Sequence, residues 1–299
     1  MPERPSFTAG RFLLSLDGQP ALLKDFDGGN IKGEVVTMNM GPQQVAQKHI
    51  STLKFESFSI NVGMSMGKPL AEWIKASLDL SHMRKNGYVV SANVDNKAQS
   101  YRHFRDALIE EITVPAMDAS NKAAAFFTIK FQPEEITYAK GDDAVIQGAV
   151  NTKQKTWLCS NFRLRIGDLP CARVTKVDSF TITQGIRENA VGESRANTKE
   201  PTNIEFPNLK VTLSAADAGP WQEWFTEFVI KGNNGQEKEL QGTLEFLDPS
   251  TRETLGSIDL FQVGIFSLYA AKPEAGTDAM ARFVVELYVE KMKFNIQGV

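Results

Sequence analysis

The residues that could do chemistry are few, and their spacing argues against each reading in turn. Gly63-Met64-Ser65-Met66-Gly67-Lys68-Pro69 stands where a phosphate-cradling loop would stand, between a strand-like and a helix-like segment. Such a loop needs four residues between its glycines and a Ser or Thr hydroxyl after the lysine to reach the metal. Three residues separate the glycines here and Pro69 follows the lysine, so the stretch reads as a turn feeding a helix that opens with proline. Asp25-Phe26-Asp27-Gly28-Gly29-Asn30 invites a calcium reading. A helix–loop–helix calcium site wants glycine at its sixth position and glutamate at its twelfth. Asn30 and Val36 hold those positions, and a glycine-rich turn fits better. His49, His82 and His103 are the only histidines, with no His-Glu-x-x-His among them. Ser57 and Ser59 lie in a strand pattern and not in a nucleophile elbow. Cys159 and Cys171 show no metal spacing and read as small packing residues. Trp73, Trp221 and Trp224 recur at helical spacing, which makes them core or interface anchors before sugar platforms. Trp157 falls outside any periodic element and is expected to dock a linker. No catalytic, cofactor-binding or metal residue is assigned, no cofactor is implied, and the chain is expected not to be an enzyme.

The chain that carries these residues is 299 long, with 42 % hydrophobic and 23 % charged residues, which fits a folded protein of about two domains. Lys and Arg total 33 against 36 Asp and Glu, a net charge of −3, so phosphate-driven nucleic-acid binding is not expected. The start, Met1-Pro2-Glu3-Arg4-Pro5, lacks the apolar stretch of a secretory signal, and no segment approaches the roughly 20 apolar residues of a membrane span. The expectation is synthesis in the cytoplasm and no membrane partner.

The elements repeat. Phe12, Leu14 and Leu16 alternate on one face of a strand, as do Phe162, Leu164 and Ile166. In Leu53–Val62 the apolar set starts on odd positions, Leu53 and Phe55, and shifts to even ones, Phe58, Ile60 and Val62. One extra residue turns every later side chain to the other face, so the slip predicts a bulge or bend. The second half repeats the slip with Ile204 and Phe206, then Leu209, Val211 and Leu213, 151 residues on (204 − 53). A helix follows in each half, Pro69–Leu78 with the stripe Leu70, Trp73, Ile74 and Leu78, and Pro220–Val229 with the stripe Trp221, Trp224, Phe225 and Phe228. Both keep Pro-x-x-Glu-Trp. Strands are then expected at Gly87–Val90 and Gly242–Phe246, and around Leu108–Val114 and Phe261–Leu268. A closing strand alternates Phe127, Ile129 and Phe131 in one half, and Phe283, Val285 and Leu287 in the other.

The fold class this predicts is mainly β: two tandem antiparallel β-barrel or sandwich domains, each with one short α-helix. Their expected bounds are 1–140 and 159–299, joined by a polar linker over 141–158. Long polar arms, Gly33–Lys48 and Thr183–Glu200, are expected to be functional or disordered loops.

The order of these elements, the long arm, Lys54-Phe55-Glu56, the Pro-x-x-Glu-Trp helix and the turn Val114-Pro115-Ala116-Met117-Asp118 together resemble the contractile-phage tail tube family. The same fold serves the inner tubes of contractile injection systems and the haemolysin-coregulated proteins of type VI secretion. The chain departs from that pattern in carrying the unit twice, and in having Ala271-Lys272-Pro273-Glu274 where the second turn would fall. The resemblance implies two tail-tube-type domains and a structural, ring-forming tube, tube-initiator or adaptor protein. Its rings would hold six such folds, so three copies would close a pseudo-six-fold trimer. The implied partners are other copies, adjacent tube rings, sheath and baseplate or hub proteins, with DNA or effector cargo passing through the lumen without specific binding. The implied location is a virion tail or an extracellular injection particle. The alternative is a two-domain β-barrel binding module for carbohydrate or protein.

Overall fold

The computed structural model describes residues 10–39, 46–64, 66–146, 157–190, 196–271 and 281–296. The arm tips, most of the expected linker, Ser65, the Lys272-Pro273-Glu274 stretch and the first nine residues lie outside the described residues. Among the described residues two α-helices and 19 strands follow one another. The first half contains β1 (Arg11–Leu16), β2 (Gln19–Leu23), β3 (Asp25–Gly28), β4 (Ile31–Asn39), β5 (Ala46–Phe55), β6 (Phe58–Val62) and α1 (Lys68–Leu78). It continues with β7 (Lys85–Ala92), β8 (Ala98–Val114), β9 (Met117–Asp118), β10 (Phe127–Gln132) and β11 (Glu135–Lys140). The second half contains β12 (Phe162–Ile166), β13 (Val174–Val177), β14 (Phe180–Asn189), β15 (Thr198–Glu205), β16 (Leu209–Ser214) and α2 (Ala218–Phe225). It ends with β17 (Leu240–Leu247), β18 (Thr254–Ala270) and β19 (Arg282–Ile296).

Every pairing is antiparallel, and the fold is mainly β. One sheet runs β2-β1-β7-β8-β10-β6-β3, with β11 and the β14–β15 hairpin also attached through β8. The other runs β12-β17-β18-β19-β16-β13-β9. The β4–β5 hairpin stands as a sheet of its own.

Local chemistry accounts for these elements. Asp17 and Gly18, both at positive φ, close a two-residue turn between β1 and β2, whose backbone twist matches the strands it joins. The parity slip near Phe55 is a strand break: β5 ends there and β6 begins at Phe58 in a different sheet. Gly28 at φ 81° makes the corner, because a Cβ there would sit 2.1 Å from the Ser57 carbonyl oxygen. The arms, read as loops, are strand hairpins over most of their length, because their backbone groups pair with each other.

The two long strands β8 and β18 bend at matching places. Asp106 and Gln262 take left-handed φ values of 49° and 53°, each beside a register shift. A second shift falls at Glu110 in β8 and at Phe266 in β18. Each bulge adds one residue and turns the rest of the strand.

One contiguous core takes residues from both sheets. Phe58, Phe104, Phe131 and Trp73 pack together in the first half, with ring centroids 5.0 to 5.5 Å apart. Trp157, expected to dock the linker, is 2 % exposed; it stacks on Phe127 at 5.0 Å and meets Phe246 edge-on at 4.6 Å. It joins the cores of the two halves, because an indole of that area buries best where two apolar faces meet.

Candidate functional site at the seam between the halves

The residues first weighed for chemistry are built into the framework. Met64 and Met66 of the glycine-flanked loop are buried, and Gly67 at φ 82° opens α1 with no side-chain cap. Asp25 is engaged by the Asn61 amide, and Asn30 donates to Glu56 at 2.7 Å. Ser57 donates to Glu110 at 2.8 Å, and the other Glu110 oxygen takes Lys130 at 3.2 Å, a strand-to-strand bridge. Burial pushes both the Cys159 and the Cys171 thiol above the ordinary range, away from the reactive thiolate. The three histidines sit on separate elements: His49 exposed on β5, His82 after α1, and His103 beside Tyr88 and Tyr101. Among the described residues no three His, Cys, Asp or Glu side chains form a metal-holding group, and no helix is long and apolar enough to cross a membrane.

The seam where the second half docks on the first is built in detail. Phe180–Thr183 of β14 pairs antiparallel with Val114–Glu111 at the end of β8. Thr113 and Thr181 share a hydroxyl hydrogen bond of 2.8 Å across that pairing, and Ser179 donates to the Val114 carbonyl at 2.9 Å. β9, inside the Val-Pro-Ala-x-Asp turn, pairs in return with Lys176 and Val177 of β13. Strands are thus exchanged in both directions, and α1 packs against β19.

A charged cluster locks the arm of the second half onto the first. Lys199 of β15 is almost fully buried, with its ammonium 3.3 Å from Glu188. Its backbone N–H donates to Glu134 at 2.7 Å, and Arg84 reaches both Glu134 and the Lys199 carbonyl. Burial pushes the Lys199 pKa down against the pull of Glu188. For Glu188 burial works upward, but the Asn197 hydrogen bond and the Lys199 charge bring it below the usual carboxylate range. The buried Gln184 amide meets His82 Nδ1 at 3.2 Å. What this constellation can do is hold the two halves of the chain edge to edge, since each charge has an opposite charge or a hydrogen bond.

No sequence signal singled out Lys199, Arg84 or Glu134. In the strand that carries the seam Phe180, Ile182 and Gln184 alternate inward, although Gln184 falls in the stretch read as a polar arm. The stripe on the second helix is only half right. Trp221 and Phe228 are buried, but Trp224 and Phe225 are partly exposed, and the helix passes into a π turn over Thr226–Ile230. In α1 the corresponding Trp73, Ile74 and Leu78 are all buried.

Comparison with known proteins follows the same line. Residues 8–137 match the family model described as T4-like virus tail tube protein gp19. No curated protein sequence matches the chain. Among solved structures, the sheath–tube complex of an extracellular contractile injection system (PVC, extended state) is 17 % identical with a TM-score of 0.41, over 46 % of this chain and 93 % of that one. The tube-terminating cap of the anti-feeding prophage is 17 % identical with a TM-score of 0.42, over 47 % and 95 %. Residues 8–137 of this chain are thus similar to the T4-like virus tail tube protein gp19 family, and that match supports a structural tail tube role.

Proposed function

We propose that the chain carries two tube units in tandem, about 1–140 and 159–299, and that three copies close a pseudo-six-fold ring in a contractile phage tail or phage-like injection particle. The observation that carries this reading is strand order. The first half pairs β1-β7-β8-β10-β6-β3 and the second β12-β17-β18-β19-β16-β13, and each helix precedes the corresponding strand, β7 or β17. The left-handed bulges at Asp106 and Gln262, 156 residues apart (262 − 106), support it further, because an irregularity of this kind is seldom met twice by chance. Six folds per ring is what the family resemblance implies, and two folds per chain then require three chains. The ring works as a conduit: it packs against neighbouring rings and sheath, and it passes DNA or protein without specific binding. It performs no catalysis. The arms Gly33–Lys48 and Thr183–Glu200 reach toward the adjacent ring.

Light scattering with negative-stain imaging tests this. Particles near three times 33.1 kDa with a central hole and six-fold appearance are expected. A compact monomer that joins no partner ring would favour the two-domain binding module instead.

A further inference from the structure

We infer that each chain extends the sheet of the next: Gly29–Lys32 of one copy adds antiparallel to Ser267–Ala270 at the end of β18 of its neighbour, Asn30 opposite Tyr269 and Ile31 opposite Leu268. The inference rests on the ring reading only in taking three chains to close. Its template is the pairing the molecule already makes once, between β14 and β8.

Registers carry the correspondence. In the first hairpin Gly33 pairs Leu53 and Val35 pairs Ile50, with a bulge between them. In the second, Gln184 pairs Ile204 and Ile186 pairs Pro201, with the same bulge, every position 151 residues on (184 − 33). Phe180–Thr183 therefore corresponds to Gly29–Lys32. Ile112 pairs Ile129 as Leu268 pairs Val285, 156 residues on (268 − 112), so Glu111–Val114 corresponds to Ser267–Ala270. In the single chain β17 pairs β18 no further than Val263, and among the described residues nothing pairs that edge of Ser267–Ala270. An unpaired strand end of this kind is a template for another chain.

Three further observations point to the same contact. First, the β4–β5 hairpin has no sheet to join, whereas its counterpart β14–β15 is docked on β8. Among the described residues its outward-facing Ile31 N–H and the Gly29 carbonyl are met only by the Tyr138 hydroxyl, at 2.9 and 3.3 Å. Tyr138 is 54 % exposed and would have to give up these two hydrogen bonds on assembly, whereas Phe294 at the corresponding place in β19 is buried.

Second, Lys48 stands where Lys199 stands in the other hairpin, and Glu290 where Glu134 stands on the receiving side, yet both are exposed. Assembly would give the Lys48 backbone N–H the carboxylate that Lys199 already has.

Third, α1 is covered by β19, but α2 is not covered by any equivalent. Val229 and Ile230 are 40 % and 69 % exposed, Phe266 beside them is 40 % exposed, and the Trp224 Nε1 has no hydrogen-bond partner. The β11 strand of a neighbouring chain, which corresponds to the covering end of β19, fits that face. The receiving side and the donating side lie on different halves of the chain. The contact is therefore heterologous and generates a ring or a filament, not a two-fold dimer.

The test is a cysteine pair, Asn30→Cys with Tyr269→Cys, in the full chain. Both positions are exposed, so the fold should survive, and circular dichroism checks that it does. They correspond to Thr181 and Thr113, whose hydroxyls touch, so their Cβ atoms fall near disulfide reach. Oxidised glutathione accepts the two electrons and the thiol protons as the S–S bond forms. On a non-reducing gel the double variant should run as a covalent trimer, and each single variant as a monomer. Asp27→Cys with Tyr269→Cys, out of register, should not link. Rings seen by light scattering without a linked trimer would overturn this pairing and leave the ring reading intact. Ladders beyond three chains would support the pairing and refute three-fold closure. A protein that is monomeric by scattering and unlinked by oxidation would overturn both.

Discussion

Trp157 is the place where the two halves depend most on one side chain. It is 2 % exposed between Phe127 of the first half and Phe246 of the second, with ring centroids 5.0 and 4.6 Å away. Trp157→Ala leaves a cavity that aromatic neighbours on two sheets cannot fill, and the expected cost is about 4 kcal/mol. With an unfolding entropy of about 2.1 cal/mol/K per residue, that lowers the melting point by about 6 °C if all 299 residues unfold together, and by about twice as much if one half unfolds alone. The Trp157 Nε1–H is buried with no acceptor, a liability of about 1 to 3 kcal/mol. Trp157→Phe removes that donor along with part of the volume, so it should stay within about 1.5 kcal/mol of the parent. Equilibrium urea unfolding followed by circular dichroism, with calorimetry on the same samples, reads both numbers. A cost below about 1 kcal/mol for the alanine variant would refute the core assignment. A phenylalanine variant as damaged as the alanine one would refute the orphaned-donor argument.

Two local predictions accompany it. Gly28→Ala should cost about 3 kcal/mol in the same urea assay, because the left-handed corner is strained for alanine and its Cβ would meet the Ser57 carbonyl oxygen at 2.1 Å. A cost under about 1 kcal/mol would show that the β3–β4 corner relaxes. Asp248 is held down to about 2 by the Ser250 hydroxyl first, and then by the Thr251 and Ser250 backbone N–H groups. Its folded pKa lies below the unfolded value of about 3.9, so its contribution is present above pH 3.9 and fades as pH falls toward 2. Asp248→Asn should flatten the acid limb of stability in that window, measured by chemical denaturation at stepped pH, and an unchanged limb would refute the assignment.

Much of the framework was legible in the residues themselves. The period-two runs at Phe12–Leu16, Phe127–Phe131 and Leu209–Leu213 became strands; alternate residues are buried in the last two, whereas Leu13 to Leu16 of β1 are buried throughout. A sheet face facing a core leaves that pattern on the chain regardless of what the strand pairs with. The parity slip at Phe55 to Phe58 was legible for the same reason, since a strand that changes sheets must change which parity points inward. The Asp17-Gly18 turn could also have been read, from its residue types.

Other features carry no local signature. β8 and β18 each run 17 residues, but clean alternation is confined to Ile112–Val114 in the one and Gly256–Leu260 in the other, because two bulges reset the parity inside each strand. The arms read as polar loops because their strands face water on most sides, so hydrogen bonding and not burial makes them strands. Lys199 gives no warning that it is buried, since a lysine is normally solvated. Only the fold brings Glu188, Glu134 and Arg84 to it from distant positions.

The sequence alone determined the class of element, because the alternation and helical stripes that mark it depend on residues near one another along the chain. Tertiary structure decided which half lends strands to which, where Trp157 sits, and that β14 pairs with β8 while the β4–β5 hairpin stands as a sheet of its own. Those depend on backbone groups that every residue carries alike, and only their placement in space shows which of them are paired.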